Sequence, residues 1–212
     1  MSTPHRDPEP GADRAAILQW RKAERQRLLD ARQALPAHTR QQHATAIARH
    51  LGAWLGDVQG RTIAVYWPFR GEPVLHAWMV QMHAAGASCA LPEVVQRQAP
   101  LRFLTWWPGA TMARGVWDIP VPAAGIVVEP DIVVAPVVGF DPAGYRLGYG
   151  GGFYDRTLAA RAALPASQPH VIGVGYGLAA IASIHPLPHD IPMDVVITEQ
   201  GPQKPVTAAS GS

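Results

Sequence analysis

The chain has 212 residues, 48% hydrophobic and 16% charged, with a formal net charge of +2. These are values of a globular domain large enough to bury a real core, and so small a charge gives no argument for a nucleic-acid partner. No apolar run approaches the ~18 residues of a membrane span, the polar start lacks the apolar stretch of a secretory signal, and one cysteine, Cys89, excludes an internal disulfide and suits a reducing, cytoplasmic compartment.

Residues 1–13 read as a disordered tail, followed by a helix from about residue 12 or 13 to 34. Arg14, Arg21, Arg25 and Arg32 fall at steps of 7, 4 and 7, which puts all four on one stripe of that helix. By spacing alone, the stripe is a solvated face. After a turn at residues 36–39, Thr39-x-x-Gln42 predicts a capping box for a second helix to about residue 55, with Ala44, Ile47, Leu51 and Leu55 at helical spacing. Residues 62–66 read as a strand and 67–73 as a loop. Pro73 suits the first turn of a third helix, running to about residue 85. Glu72 then has two readings: a ligand carboxylate at the C-terminal end of a strand, or a charge complementing the helix dipole. Residues 88–91 and 101–106 read as strands, the latter alternating with one wet face. Residues 131–136 and 170–176 are short β-branched runs that read as buried strands. Strands alternating with helices predict a three-layer α/β domain with a mainly parallel sheet.

Between residues 140 and 156 the chain reads FDPAGYRLGYGGGFYDR, with five glycines between 144 and 152. The order predicted is strand, glycine loop, then a helix from Phe153 to about Leu164 with Leu158, Ala162 and Ala163 on its apolar face. Glycines let a ligand approach the main chain closely, and the N–H groups that open a helix favour an anion. Arg146 and Arg156 flank the loop. A phosphate cradle is favoured over a mobile surface loop, because a linker seldom separates a buried strand from a helix. Two generic phosphate motifs fail: both G-x-x-x-x-G-K-[ST] and G-x-G-x-x-G are broken at Phe153.

The seventeen-residue stretch resembles the signature of the 5-formyltetrahydrofolate cyclo-ligase (methenyltetrahydrofolate synthetase) family. Four flanking patterns extend the resemblance over most of residues 21–199: Arg21-Lys22-Ala23-Glu24-Arg25, Arg32-Gln33-Ala34-Leu35, residues 115–122, and residues 189–199. The resemblance implies a Rossmann-like fold shared with ribose-phosphate isomerases and CoA transferases, spanning residues 14–199 as one domain with a flexible tail at 200–212. It implies ATP- and Mg²⁺-dependent cyclisation of 5-formyltetrahydrofolate to 5,10-methenyltetrahydrofolate, with release of ADP and phosphate, by a cytoplasmic monomer acting on small molecules. It places ATP on Arg21, Arg25, Arg146, Leu147, Gly148, Tyr149, Gly150, Gly151, Gly152, Phe153 and Tyr154, with Lys22 a substitute for Arg21. It places the folate on Glu72, Trp67, Trp117, Gly150, Gly151, Gly152 and Phe153, and Mg²⁺ on Asp155 and Asp190. Trp117 reads equally as the anchor of an irregular loop. Two positions depart from the family pattern: Glu72-Pro73-Val74-Leu75 lacks the usual Thr, and residues 177–181 lack the usual Gln. Both lie on the substrate side, which keeps open a paralogue with another substrate; a nucleotide-binding regulatory module is the other alternative.

Overall fold

The computed structural model describes residues 7–9, 11–162 and 168–206. Helix α1 (Arg14–Ala34) opens where the Asp13 carboxylate accepts the Ala16 N–H at 2.8 Å, a cap for one of the orphan donors of the first turn. Asp13 is thereby part of the helix start; most of the tail expected before it lies outside the described residues. Helix α2 (Ala37–Leu55) begins directly after Pro36, without a side-chain cap. The capping box expected at Thr39 and Gln42 does not form, since both already lie inside the helix. The chain continues through β1 (Thr62–Ala64), α3 (His76–Ala84), β2 (Ser88–Glu93), β3 (Arg102–Trp106), β4 (Met112–Arg114), β5 (Pro120–Pro122), β6 (Val127–Val128) and β7 (Ile132–Pro136). It ends through β8 (Gly139–Phe140), β9 (Arg146–Leu147), α4 (Phe153–Ala162), β10 (His170–Val174), β11 (Val195–Thr198) and β12 (Gly201–Gln203).

One sheet has the order β12-β11-β10-β7-β1-β2-β3-β6. Its centre, from β11 to β2, is parallel, and its margins β12, β3 and β6 are antiparallel. Successive side chains along each central strand go to opposite faces. Ile63, Val65, Cys89, Leu91, Ile132, Val134, Ile172, Val174, Val195 and Ile197 pack under α2 and α3, against Ile47, Leu51, Trp78 and Met79. The other face carries the small Ala64, Ala90 and Ala135 beside Val133 and Phe103, and Val171 and Val196 with Leu158 of α4. The result is three layers, helices on both sides of a mainly parallel sheet, as the alternation predicts. Cys89 is fully buried, and its thiol is pushed up to about 11 by burial, so it is a core side chain rather than a nucleophile.

Several elements differ from expectation. The polypeptide does not pass directly from β7 to the glycine loop. Strands β8 and β9 form a two-stranded hairpin between them, turned by buried Asp141, whose Oδ1 accepts the N–H groups of Ala143 and Tyr145. Local side-chain hydrogen bonding of this kind builds a turn without any long strand signal. Helix α3 begins at His76 instead of Pro73. In α4, Leu158 is buried but Ala162 is exposed; Ala163 lies outside the described residues. The flexible tail expected after Gln200 is corrected at residues 201–203, which pair as β12 with β11; residues 207–212 lie outside the described part.

Helix α1 packs outside the layers, with Leu28 and Leu29 against Val138, Leu147 and Ile184. Leu28 is 1% exposed and Leu18, on the same helix, 47%. Leu28→Ala is expected to lower unfolding free energy by about 2–4 kcal/mol and Leu18→Ala by less than about 0.5 kcal/mol, measured by urea denaturation; equal effects would contradict this docking of α1.

Candidate active site

The chain leaves β1 for its neighbour β2 through α3, on one face, and leaves β7 for its other neighbour β10 through α4, on the opposite face. The strand order therefore reverses between β1 and β7, and the loops beyond their C-terminal ends part there, which is where open α/β sheets accept ligands. Residues 65–75 form one wall. Residues 137–152, ending at the N-terminus of α4, form the other.

Helix α1 lies across these loops and joins them through its arginines. Arg21 is buried; its Nε donates to the Ile184 carbonyl at 2.9 Å, and its Nη2 donates to the His185 carbonyl at 2.9 Å and to Asp190 Oδ2 at 2.5 Å. Arg25 is half-buried, and its Nε donates to the Gly148 carbonyl at 2.5 Å. A side chain on Gly150 would meet the Arg25 guanidinium at 3.4 Å, so the loop passes directly over this cation. Arg25 has no carboxylate partner among the described residues, and burial, then the charge of Arg21, lowers its pKa. Lys22 is exposed and makes none of these contacts. Arg14 is also exposed, so the stripe read as solvated is buried or half-buried from Arg21 onward.

Arg32 is a site residue that the sequence left unassigned. It is 4% exposed; its Nε donates to the Arg70 carbonyl at 3.0 Å, and its Nη2 donates to the Tyr149 hydroxyl. Its register with Arg25, seven residues earlier, was the available signal; what hid it was the ordinary frequency of arginine stripes on exposed helices.

Within the glycine loop, Gly150 and Gly152 take φ of +93° and +63°, conformations that suit glycine. Among the described residues, the N–H groups of Gly150, Gly151 and Gly152 find no backbone acceptor, and those of Phe153, Tyr154 and Asp155 open α4. Arg156 folds back, its Nη2 on the Gly151 carbonyl and its guanidinium 5.1 Å from the Phe153 ring centroid. The Trp117 ring meets Phe153 edge to face at 5.7 Å. Trp117 is 54% exposed at φ +56°, which gives an aromatic side chain held open beside the loop. Leu147 is buried in the α1 cluster and can offer the loop only its main chain. Tyr154 packs on the alanine-lined face of the sheet.

Asp155 and Asp190 both face arginines. Arg146 is buried, its Nη2 donating to Asp155 Oδ1 at 2.6 Å and its Nη1 to the Ile191 carbonyl at 2.9 Å. Both ends of this guanidinium are thus engaged inside the protein, as are those of Arg21. Burial works to raise the Asp190 carboxyl, but hydrogen bonds from Arg21 and the Leu187 N–H, with the Arg21 charge, hold it below the ordinary range. Asp155 keeps Oδ2 without a hydrogen-bond partner among the described residues.

Across the switch point, Glu72 is 4% exposed. Its Oε2 accepts the Phe69 N–H at 2.8 Å and its Oε1 the Tyr149 hydroxyl at 2.9 Å. It does not face the α3 dipole, because that helix starts four residues later. Burial pushes its carboxyl up to about 7, against the opposing effects of Arg32 and these two donors. Trp67 points elsewhere, its ring edge-on to His76 at 6.2 Å and its body against the main core.

The model of the 5-formyltetrahydrofolate cyclo-ligase family matches residues 17–199. The chain is 33% identical over 181 residues to the 5-formyltetrahydrofolate cyclo-ligase of Mycolicibacterium smegmatis, covering 81% of this chain and 89% of that one. It is 29% identical over 173 residues to the enzyme of the same name from Escherichia coli, covering 79% and 93%. The solved 5,10-methenyltetrahydrofolate synthetase of Aquifex aeolicus superposes with a TM-score of 0.76 at 25% identity, over 91% of this chain and 96% of that one. With the family match spanning most of its length, this chain, built on a glycine loop and a buried carboxylate at one switch point, belongs to the 5-formyltetrahydrofolate cyclo-ligase family.

Proposed function

We propose that the protein converts 5-formyltetrahydrofolate to 5,10-methenyltetrahydrofolate while ATP becomes ADP and phosphate. The observation that carries this reading is that one glycine loop bears on both groups: its Gly148 carbonyl holds Arg25, and its Tyr149 hydroxyl donates to buried Glu72. One side of the site is built for an anion, the other for N–H donors. The formyl oxygen attacks the γ-phosphorus and ADP departs; N10 then attacks the activated formyl carbon, and phosphate leaves. No protein nucleophile is needed. The chain's task is to hold the reactants in line and to stabilise charge on the phosphoryl oxygens.

Arg25 and the N–H groups of residues 150–155 serve the nucleotide phosphates. Glu72 accepts from the amino and N–H groups of the pterin, and Trp117 with Phe153 offers an apolar wall. Arg21 and Arg146 act through others: they hold the carboxylates and the 184–191 segment in place. Trp67 and Lys22 have the least support among the residues expected to bind. Mg²⁺ takes one or two carboxylates together with phosphate oxygens and water, and the donor set fits this demand at Asp155 through its uncommitted Oδ2. Asp190, which Arg21 engages, would be a second carboxylate for the ion. The ion would supply positive charge to offset the negative charge of the phosphate oxygens. A cytoplasmic monomer using small-molecule substrates completes the reading; no described helix is long and apolar enough to cross a membrane.

With protein, MgATP and 5-formyltetrahydrofolate, the near-ultraviolet band of the methenyl product is expected to rise. Arg25→Ala is expected to cut kcat/KM by about 10²–10³, the usual cost of losing one transition-state charge contact, and Asp155→Ala to do likewise. Absence of a rise from a protein that still binds ATP would sink the folate assignment.

Glu72 gives a test with opposite signs for function and stability. Its acceptor form grows as pH rises through about 7. KM for the folate is therefore expected to fall roughly tenfold between pH 6 and pH 8, and Glu72→Gln to flatten that profile. For stability, the raised pKa means that the folded state holds the proton more tightly than the unfolded chain. Its contribution is complete below the ordinary value of 4.5 and is lost as pH rises through about 7. Glu72→Gln removes the buried charge, so its gain in stability over the wild type is expected to widen from pH 5 to pH 8, to as much as about 3 kcal/mol. A gap in Tm independent of pH would show that Glu72 is not the group that titrates.

A further inference from the structure

The Tyr149 side chain belongs to the glycine loop by sequence and to the opposite wall by contact. Its ring lies 5.8 Å from that of Phe69, with the Arg32 guanidinium 5.6 Å from its centroid. Its hydroxyl meets Arg32 Nη2, Glu72 Oε1 at 2.9 Å and the Phe69 carbonyl at 3.3 Å. A phenol has a single proton, and a guanidinium can only donate. With Glu72 ionised, the polarity is therefore fixed: Arg32 donates to the Tyr149 oxygen, and Tyr149 donates to the nearer acceptor, Glu72. With the Phe69 N–H on Oε2, both oxygens of a 4% exposed carboxylate are already served by the protein. An incoming N–H donor must therefore compete with the Tyr149 hydroxyl for Oε1.

The residues beside Tyr149 are suited to its release. It is flanked by Gly148 and Gly150, the second at φ +93°, so the backbone can re-aim with little steric cost. The Gly148 carbonyl carries Arg25 Nε at 2.5 Å, so movement at residue 149 is felt at the cation on which the anion side of the site depends.

We propose that Tyr149 is a positioning residue that couples the two half-sites: a ligand donor arriving at Glu72 displaces its hydroxyl and frees the glycine loop to close on the nucleotide. The inference rests on the reading of Glu72 as the carboxylate that receives the folate. Linkage requires the effect to be reciprocal, with nucleotide favouring folate by the same factor.

The test is a calorimetric titration of MgADP, with and without saturating 5-formyltetrahydrofolate, into the wild type, Tyr149→Phe and Tyr149→Ala. ADP lacks the γ-phosphate that would touch the formyl group, so direct contact between ligands is kept small. In the wild type, ADP is expected to bind at least about 5-fold tighter with folate present, the lower end of ordinary coupling. In both variants the ratio is expected to fall to about 1, because affinity without folate has risen. A wild-type ratio of 1, or a Tyr149→Phe ratio equal to a wild-type one of 5 or more, overturns the coupling. A wild type that binds ADP but no folate in a direct titration overturns the reading of Glu72, and the coupling with it. Hydrogen exchange gives a ligand-free check: Tyr149→Phe is expected to speed exchange of the 148–152 amides several-fold, and unchanged exchange contradicts the tether.

Discussion

Three guanidinium groups on one helix hold the site together. Arg21 reaches the segment before β11, Arg25 the glycine loop, and Arg32 both the loop after β1 and Tyr149. Burying a guanidinium is unfavourable unless its fork is filled, and carbonyls at the ends of loops supply acceptors that suit its planar geometry. Loops that leave different strands of the sheet are thus fixed by side chains that precede the whole sheet in sequence. Apolar packing at Leu28 and Leu29 docks the helix; the arginines set where the loops stop.

The charges fall into two classes. Arg21 with Asp190 and Arg146 with Asp155 are charges neutralised in pairs. Arg25 has no carboxylate partner among the described residues, and Glu72 is buried with hydrogen bonds but no direct ion pair. A fold selected for stability alone would gain by removing either. Gly148 and Tyr149, adjacent in the glycine loop, contact Arg25 and Glu72 respectively, so both groups meet one loop at the switch point, the pattern expected where local rules are broken for function.

Much of this was legible in the sequence. The β-branched runs at residues 131–136 and 170–176, and the helical spacing of Ile47 and Leu51, specify the sheet and one of its covering layers through period alone. The glycine stretch marks its own role, because positive φ at Gly150 and Gly152 is a local requirement. Other features depend on partners far away in sequence. The sequence assigns Arg21 and Arg146 to phosphate, and it does not show the protein acceptors their guanidinium groups also hold, 163–169 positions away for Arg21 and 9 and 45 positions away for Arg146. Strand β12 forms because β11 offers an edge, not because Gly201-Pro202-Gln203 favours extension. The β8–β9 hairpin has two residues per strand, too few for periodicity, and rests on one buried aspartate. Arg32 was visible in its register but unreadable in its burial.

If the two half-sites act on one reaction, ATP turnover and folate cyclisation are a single coupled event. Phosphate release is the most direct measure, followed with MgATP alone and then after addition of 5-formyltetrahydrofolate. Release from ATP alone is expected to be negligible and, with the folate, one phosphate is expected for each methenyl product formed. Turnover of ATP that does not depend on the folate, or product that appears without phosphate, would contradict it.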